Sequence, residues 1–127
     1  MRGLPVVLLV MMICAPPAFA AECPAASSDA VLSALRNARS CRGAAQAYRA
    51  CTRATTQDVQ FAEAVVGKCE SGFVARLTPK QRASYQRQIR QCERRYRRET
   101  GTMYRSFAAS CRVNVALRFA RALSSTY

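Results

Sequence analysis

Residues 78–111 read TPKQRASYQRQIRQCERRYRRETGTMYRSFAASC, and this stretch decides the fold. Thr78-Pro79-Lys80-Gln81 is a capping box with proline at the first helical position, a strong start signal for a helix. Tyr85, Ile89, Cys92 and Tyr96 then recur at i, i+4, i+7 and i+11, which places them on one helical face. Gly101 is a natural left-handed C-terminal cap. A further helix is expected from about Met103 to Leu123, with Tyr104, Phe107, Ala108, Cys111, Val115, Phe119 and Ala122 inward. Two helices joined at Gly101 make an antiparallel hairpin. Cys92 lies nine residues before Gly101 and Cys111 ten after it, so they sit at nearly equal height on the apolar faces. A disulfide needs Cα atoms within about 7 Å, and the hairpin predicts Cys92–Cys111.

Upstream, the same helical periodicity continues with few turn signals. Ser28 is a candidate N-cap with Asp29 in the first turn, followed by Val31, Leu32 and Leu35. Asn37 to Ser40 breaks or kinks this helix. A second helix carries Cys41, Ala44, Ala45, Tyr48 and Cys51 on one face. Thr55 and Thr56 are cap candidates for a third, which buries Ala62, Val65, Val66, Cys69, Phe73 and Leu77. No segment alternates as a strand does. The fold class expected is therefore all-α, a small disulfide-stapled bundle of four to five helices.

The N-terminus reads as a secretory signal. Arg2 is the positive end, Leu4 to Ile13 the apolar run, and Ala18-Phe19-Ala20 the cleavage site. The apolar run is shorter than the roughly 20 residues needed to cross a bilayer. Residues 1–20 are thus expected to be a cleaved signal peptide, and residues 21–127 a single helical domain, exported to a periplasmic or extracellular location. Removing those 20 of the 127 residues leaves 107 and takes Cys14 with it. Six cysteines remain, an even number in a small exported chain, which reads as a disulfide framework. Cys41 and Cys51 cannot pair if they share one helix, because ten helical residues span about 15 Å. Mirror symmetry about residue 55 suggests Cys41–Cys69 and leaves Cys23–Cys51, one of three pairings that four cysteines allow.

Catalytic chemistry finds few footholds. There is no histidine, so the commonest general base and the histidine-dependent triads are missing. No nucleophile elbow, phosphate loop or dinucleotide fingerprint occurs. The acids Asp29, Asp58, Glu63, Glu70, Glu93 and Glu99 are dispersed. Glu63 and Glu70, two turns apart, would stand about 10 Å from each other, wide even for an inverting glycosidase. Wide cysteine spacing and no histidine argue against zinc. The expectation is a non-enzymatic protein with no cofactor and no metal.

Charge is the outstanding property. Without its first 20 residues the chain keeps 19 of 20 Lys and Arg and all seven acids, a formal charge of +12. Part of the preference for Arg over Lys reads as the codon use of a GC-rich genome, which leaves the scarcity of acids unexplained. On the fourth helix Arg87, Arg90, Arg94, Arg97 and Arg98 all project away from Tyr85, with Arg95 and Lys80 flanking. Glu93 and Glu99 are expected to pair locally with Arg97 and Arg95. Two readings stand side by side: a solvated face, or an anion-binding stripe suited to phosphate and carboxylate. An exported protein rarely meets nucleic acid. Anionic lipid headgroups, lipopolysaccharide phosphates or an acidic protein are the better partners, and a membrane surface is among them. Tyr85, Tyr96, Tyr104 and Phe107 gather around the Gly101 turn, read as core packing with a ligand groove as the alternative.

Leu77-Thr78-Pro79-x-Gln81-Arg82, Tyr85, Arg90-x-Cys92, a glycine turn, Cys111, and Arg118 or Arg121 before Leu123 together resemble the C-terminal helical hairpin of LprI-like lysozyme-inhibitor domains. The resemblance covers residues 73–123. It implies a small exported helical domain with one cysteine on each hairpin helix, and an inhibitor-like binding role. Lys68-Cys69-Glu70 through Gly101-Thr102-Met103-Tyr104-Arg105-Ser106-Phe107 also resembles small uncharacterised exported proteins of Gram-negative bacteria. The chain departs from the inhibitors in having no Trp, and host lysozyme is itself basic, so like charge opposes their approach.

Overall fold

The computed structural model of the chain describes residues 22–124 and 127. The signal-peptide reading of residues 1–20, and Cys14 with it, lies outside the described residues. Among the described residues five α-helices follow one another: α1 (Ser28–Arg36), α2 (Cys41–Cys51), α3 (Gln57–Phe73), α4 (Pro79–Tyr96) and α5 (Thr102–Leu123). A single 3-10 turn, Val74–Arg76, links α3 to α4. The described residues contain no strand.

Local chemistry sets most boundaries. Ser27, one residue earlier than expected, caps α1 by accepting from the Ala30 N–H at 3.2 Å. Asn37 ends that helix, and Ser40 opens α2 by accepting from the Gly43 N–H at 3.0 Å. The capping box of α4 is complete: Thr78 Oγ1 accepts from the Gln81 N–H at 3.2 Å, and Gln81 Oε1 accepts from the Thr78 N–H at 2.9 Å. Gly101 does not cap α4, which already ends at Tyr96. It stands before α5 as its N-cap, at φ 111°, a conformation open to glycine and strained for other residues.

The core runs through all five helices. Leu35, Ala44, Ala45, Ala62, Val65, Cys92, Ala116 and Ala120 are fully shielded from water. Small side chains at α2, α3 and α5 let these helices approach closely. The most extensive packing is α3 against α5, then α4 against α5, and α1 and α2 lie on α3. Because α5 is gripped from more than one side, its buried positions spread beyond one stripe. Ser106, Ala109, Val113, Leu117 and Ala120 are buried, whereas Phe107 and Ala122, expected inward, are exposed. Leu77 is buried as expected, but beyond the end of α3 rather than on it.

Three disulfides staple the helices. Cys92–Cys111 closes the α4–α5 hairpin with a Cα separation of 5.5 Å. Cys41–Cys69 joins the start of α2 to α3, and Cys23–Cys51 ties the N-terminal arm to the end of α2. The rings of Phe73, Tyr85 and Phe119 pin α3, α4 and α5 together, with the Tyr85 centroid 5.2 Å from Phe73 and 4.9 Å from Phe119. Tyr85 therefore belongs to this interior trio and not to the aromatic group near the turn.

Candidate functional site

Helix α4 presents two faces because its apolar residues are few and regularly spaced. Tyr85 and Cys92 are buried against the bundle, with Ile89 half-buried between them. Arg87, Arg90, Arg94, Arg97 and Arg98 are all exposed on the other side. No side-chain hydrogen bond or ion pair within the described residues engages any of the five. The one ion pair among the described residues is Glu93 with Arg112 of α5, at 3.8 Å. Glu93 thus reaches across the hairpin instead of along α4 to Arg97, and Glu99 pairs with neither Arg95 nor Arg97. The local neutralisation expected from i, i+4 spacing fails because Arg112 offers a cation on the adjoining helix. The arginine face keeps its full charge. Other arginines are engaged: Arg82 donates to the Val74 carbonyl at 3.1 Å, Arg118 to Gln88 Oε1 at 2.9 Å, and Arg49 to Asn114 Oδ1 at 3.1 Å.

Beside this face a groove of about 460 Å³ runs between α3 and α4. Val74, Leu77 and Ile89 give it apolar walls, and Arg82 and Arg90 stand at it. On its floor the Tyr85 hydroxyl donates to Glu70 Oε1 at 2.6 Å. Burial, reinforced by the Glu70 carboxylate, pushes the Tyr85 phenol well above its usual range. Burial also raises the Tyr48 phenol, which shares a hydrogen bond of 2.9 Å with Ser110. Phenols raised in this way favour the folded state fully below their ordinary pKa near 10, and the benefit is lost as pH rises through the folded values. Urea denaturation should therefore show stability falling with pH above about 10, and Tyr85→Phe should flatten that fall. Glu63 shares nothing with the Glu70 pair: it lies by Arg36 and Lys68 beside a separate shallow depression.

Sequence reasoning does not single out Asp58, which is fully buried and accepts three hydrogen bonds. It lies in the first turn of α3. Its Oδ1 accepts from the Arg53 N–H at 3.2 Å, and its Oδ2 accepts from the Thr55 N–H at 3.2 Å and the Ser106 hydroxyl at 2.6 Å. Ala54, between the two N–H donors, has φ 59°, so the amides on either side of it turn toward one carboxylate. The side chains of Thr55 and Thr56 do not cap α3. The signal was present as Thr55-x-x-Asp58, in which the fourth residue reaches back to the first amide. This clasp is structural.

Near the Gly101 turn, Tyr96, Tyr104 and Phe107 form a three-ring cluster with centroids 6.0 to 6.4 Å apart. None of the three packs into the core or onto its margin. Among the described residues, no group of three His, Cys, Asp or Glu side chains is placed to hold a metal ion, and no helix is long and apolar enough to cross a membrane. No family model matches the chain, and no curated protein or solved structure is significantly similar to it, so its chemistry is read from these residues themselves.

Proposed function

We propose that this chain is an exported, non-enzymatic binding protein that docks on phosphate-bearing lipid of the cell envelope through the outer face of α4. The single observation behind this reading is the set of five exposed guanidinium groups, Arg87, Arg90, Arg94, Arg97 and Arg98, with no partner inside the described residues. A guanidinium matches phosphate oxygens in a bidentate geometry, and the net charge draws the protein to an anionic surface. The signal-like N-terminus and a framework of three disulfides support export to an oxidising compartment.

The test is co-sedimentation of the oxidised protein with vesicles of phosphatidylglycerol and phosphatidylcholine. Binding should weaken steeply between 0.1 M and 1 M salt, where the Debye length falls from about 10 to about 3 Å. Each charge near an anionic surface is worth about 1 kcal/mol, and the double reversal Arg90→Glu with Arg94→Glu loses two cations and gains two anions, so it should reduce binding on the order of 1,000-fold with an unchanged circular dichroism spectrum. Binding that survives the reversal would mean the face is only solvated.

A second reading is an inhibitor-like protein of the LprI kind, supported by the cysteine-closed hairpin of α4 and α5. A lysozyme turbidity assay separates the two. Dose-dependent inhibition by the oxidised protein, absent after reduction and alkylation, would move this reading first. Unchanged lysis is the outcome expected if the arginine face is the working surface.

A further inference from the structure

Large apolar side chains at the surface are rare in this chain and occur together. Among the described residues, Met103 and Phe107, at 45% and 44% exposure, are the two exposed large hydrophobics. They stand at i and i+4 on the first turns of α5, so they share one face of that helix. Phe107 rests on Tyr96 and Tyr104, and that ring cluster is separate from the core. Packing of the interior therefore does not account for it.

The surroundings of the cluster narrow what it meets. On one side a cleft between the helices is lined by Arg94, Arg97 and Arg105, with Glu93 and Glu99 at the same cleft. On the other side a second cleft carries Arg95 and Arg118. Residues 93–105 hold five arginines against two glutamates, one of which already pairs with Arg112. Apolar and aromatic groups between arginines match the boundary of a bilayer, where rings sit at headgroup level and cations reach phosphate. A second copy of the chain fits poorly, because the same arginines would face each other.

We infer that the end of the α4–α5 hairpin is a membrane-insertion point: Met103 and Phe107 enter the interfacial zone of an anionic phospholipid bilayer while Arg94, Arg95, Arg97 and Arg105 hold the surrounding phosphates. The inference rests on the proposed binding of anionic lipid and adds an orientation to it, with the hairpin end directed into the membrane.

The experiment uses the absence of Trp from the chain. Phe107→Trp creates a single Trp at the hairpin end, excited selectively over the five tyrosines, and Gln60→Trp creates one at an exposed position of α3. Both oxidised proteins are mixed with vesicles of phosphatidylglycerol and phosphatidylcholine, with and without brominated acyl chains. The expected result is emission at shorter wavelength and quenching by the brominated lipid for position 107 and not for position 60. In the unlabelled chain, Phe107→Ser and Met103→Ser should each lower partitioning about fivefold while leaving the circular dichroism spectrum unchanged.

Co-sedimentation with no spectral change at position 107 would overturn insertion and leave the arginine-face reading intact. No co-sedimentation at all would overturn both. An equal shift with pure phosphatidylcholine would remove the requirement for anionic lipid and so overturn the proposal. Dimers in gel filtration that vanish with Phe107→Ser would assign the patch to a second copy and overturn it as well.

Discussion

Replacing Asp58 with alanine is expected to destabilise the fold by about 3–5 kcal/mol. The carboxylate is fully buried and accepts three hydrogen bonds, from the amides of Arg53 and Thr55 and the hydroxyl of Ser106. A bond to a charged acceptor contributes about 1.5–3 kcal/mol, and a buried donor left without its partner carries a desolvation penalty of similar size. The three bonds share one group, so their contributions do not simply add. Loss of negative charge from the first turn of α3 removes a further 0.3–1 kcal/mol or so. Ser106→Ala removes only one of the bonds and should cost about 1.5–3 kcal/mol. Urea denaturation followed by circular dichroism checks the pair: the midpoint should drop more for Asp58→Ala than for Ser106→Ala, with the slope unchanged. Equal, small effects would show that the loop at Ala54 holds itself.

Reduction of the disulfides is expected to unfold the chain at room temperature. The bridges Cys23–Cys51 and Cys41–Cys69 each close a separation of 28 residues, and Cys92–Cys111 one of 19. Loop-closure entropy assigns each roughly 3 kcal/mol, while a domain of this size has only about 5–15 kcal/mol in total. The first two loops overlap, so their contributions are not independent. A thermal scan should show one cooperative transition for the oxidised protein and none after reduction and alkylation. The double variant Cys92→Ser with Cys111→Ser should stay folded with a lower melting temperature. Tyr85 still locks α4 onto Phe73 and Phe119 in that variant.

What the sequence discloses about this fold follows from how local each signal is. The start of α4 is written within four residues, Thr78 to Gln81, and the capping box forms as those residues dictate. The all-helical class is legible because the 3.6-residue period recurs without strand alternation. The inward face of α5 was misread at Phe107 and Ala122 because that helix packs against several neighbours, and its apolar residues then cover most of its circumference. A period alone cannot choose among many faces. Glu93 was assigned to Arg97 for a related reason. Spacing along one helix is visible in a sequence, whereas the approach of Arg112 from α5 exists only once the hairpin closes. Asp58 was overlooked as one of several scattered acids, although its backward reach from Thr55-x-x-Asp58 was there to be found. The division of the aromatic residues into Phe73–Tyr85–Phe119 and Tyr96–Tyr104–Phe107 again depends on contacts between helices.

The order of the cysteines has a consequence for how the molecule is assembled. Among the described cysteines, synthesis from the N-terminus presents Cys23 first and Cys41 second, yet these two are not partners. An oxidant that joined neighbours in order of appearance would form Cys23–Cys41, then Cys51–Cys69, and trap two wrong loops. Only Cys92–Cys111 would be right at first attempt. Correct pairing requires either that the helices pack before oxidation, bringing Cys23 to Cys51 and Cys41 to Cys69, or that a free thiolate later attack and reshuffle the early bonds. The native yield should therefore depend on a thiol–disulfide isomerase or a glutathione redox buffer, and the C-terminal hairpin should mature correctly without either.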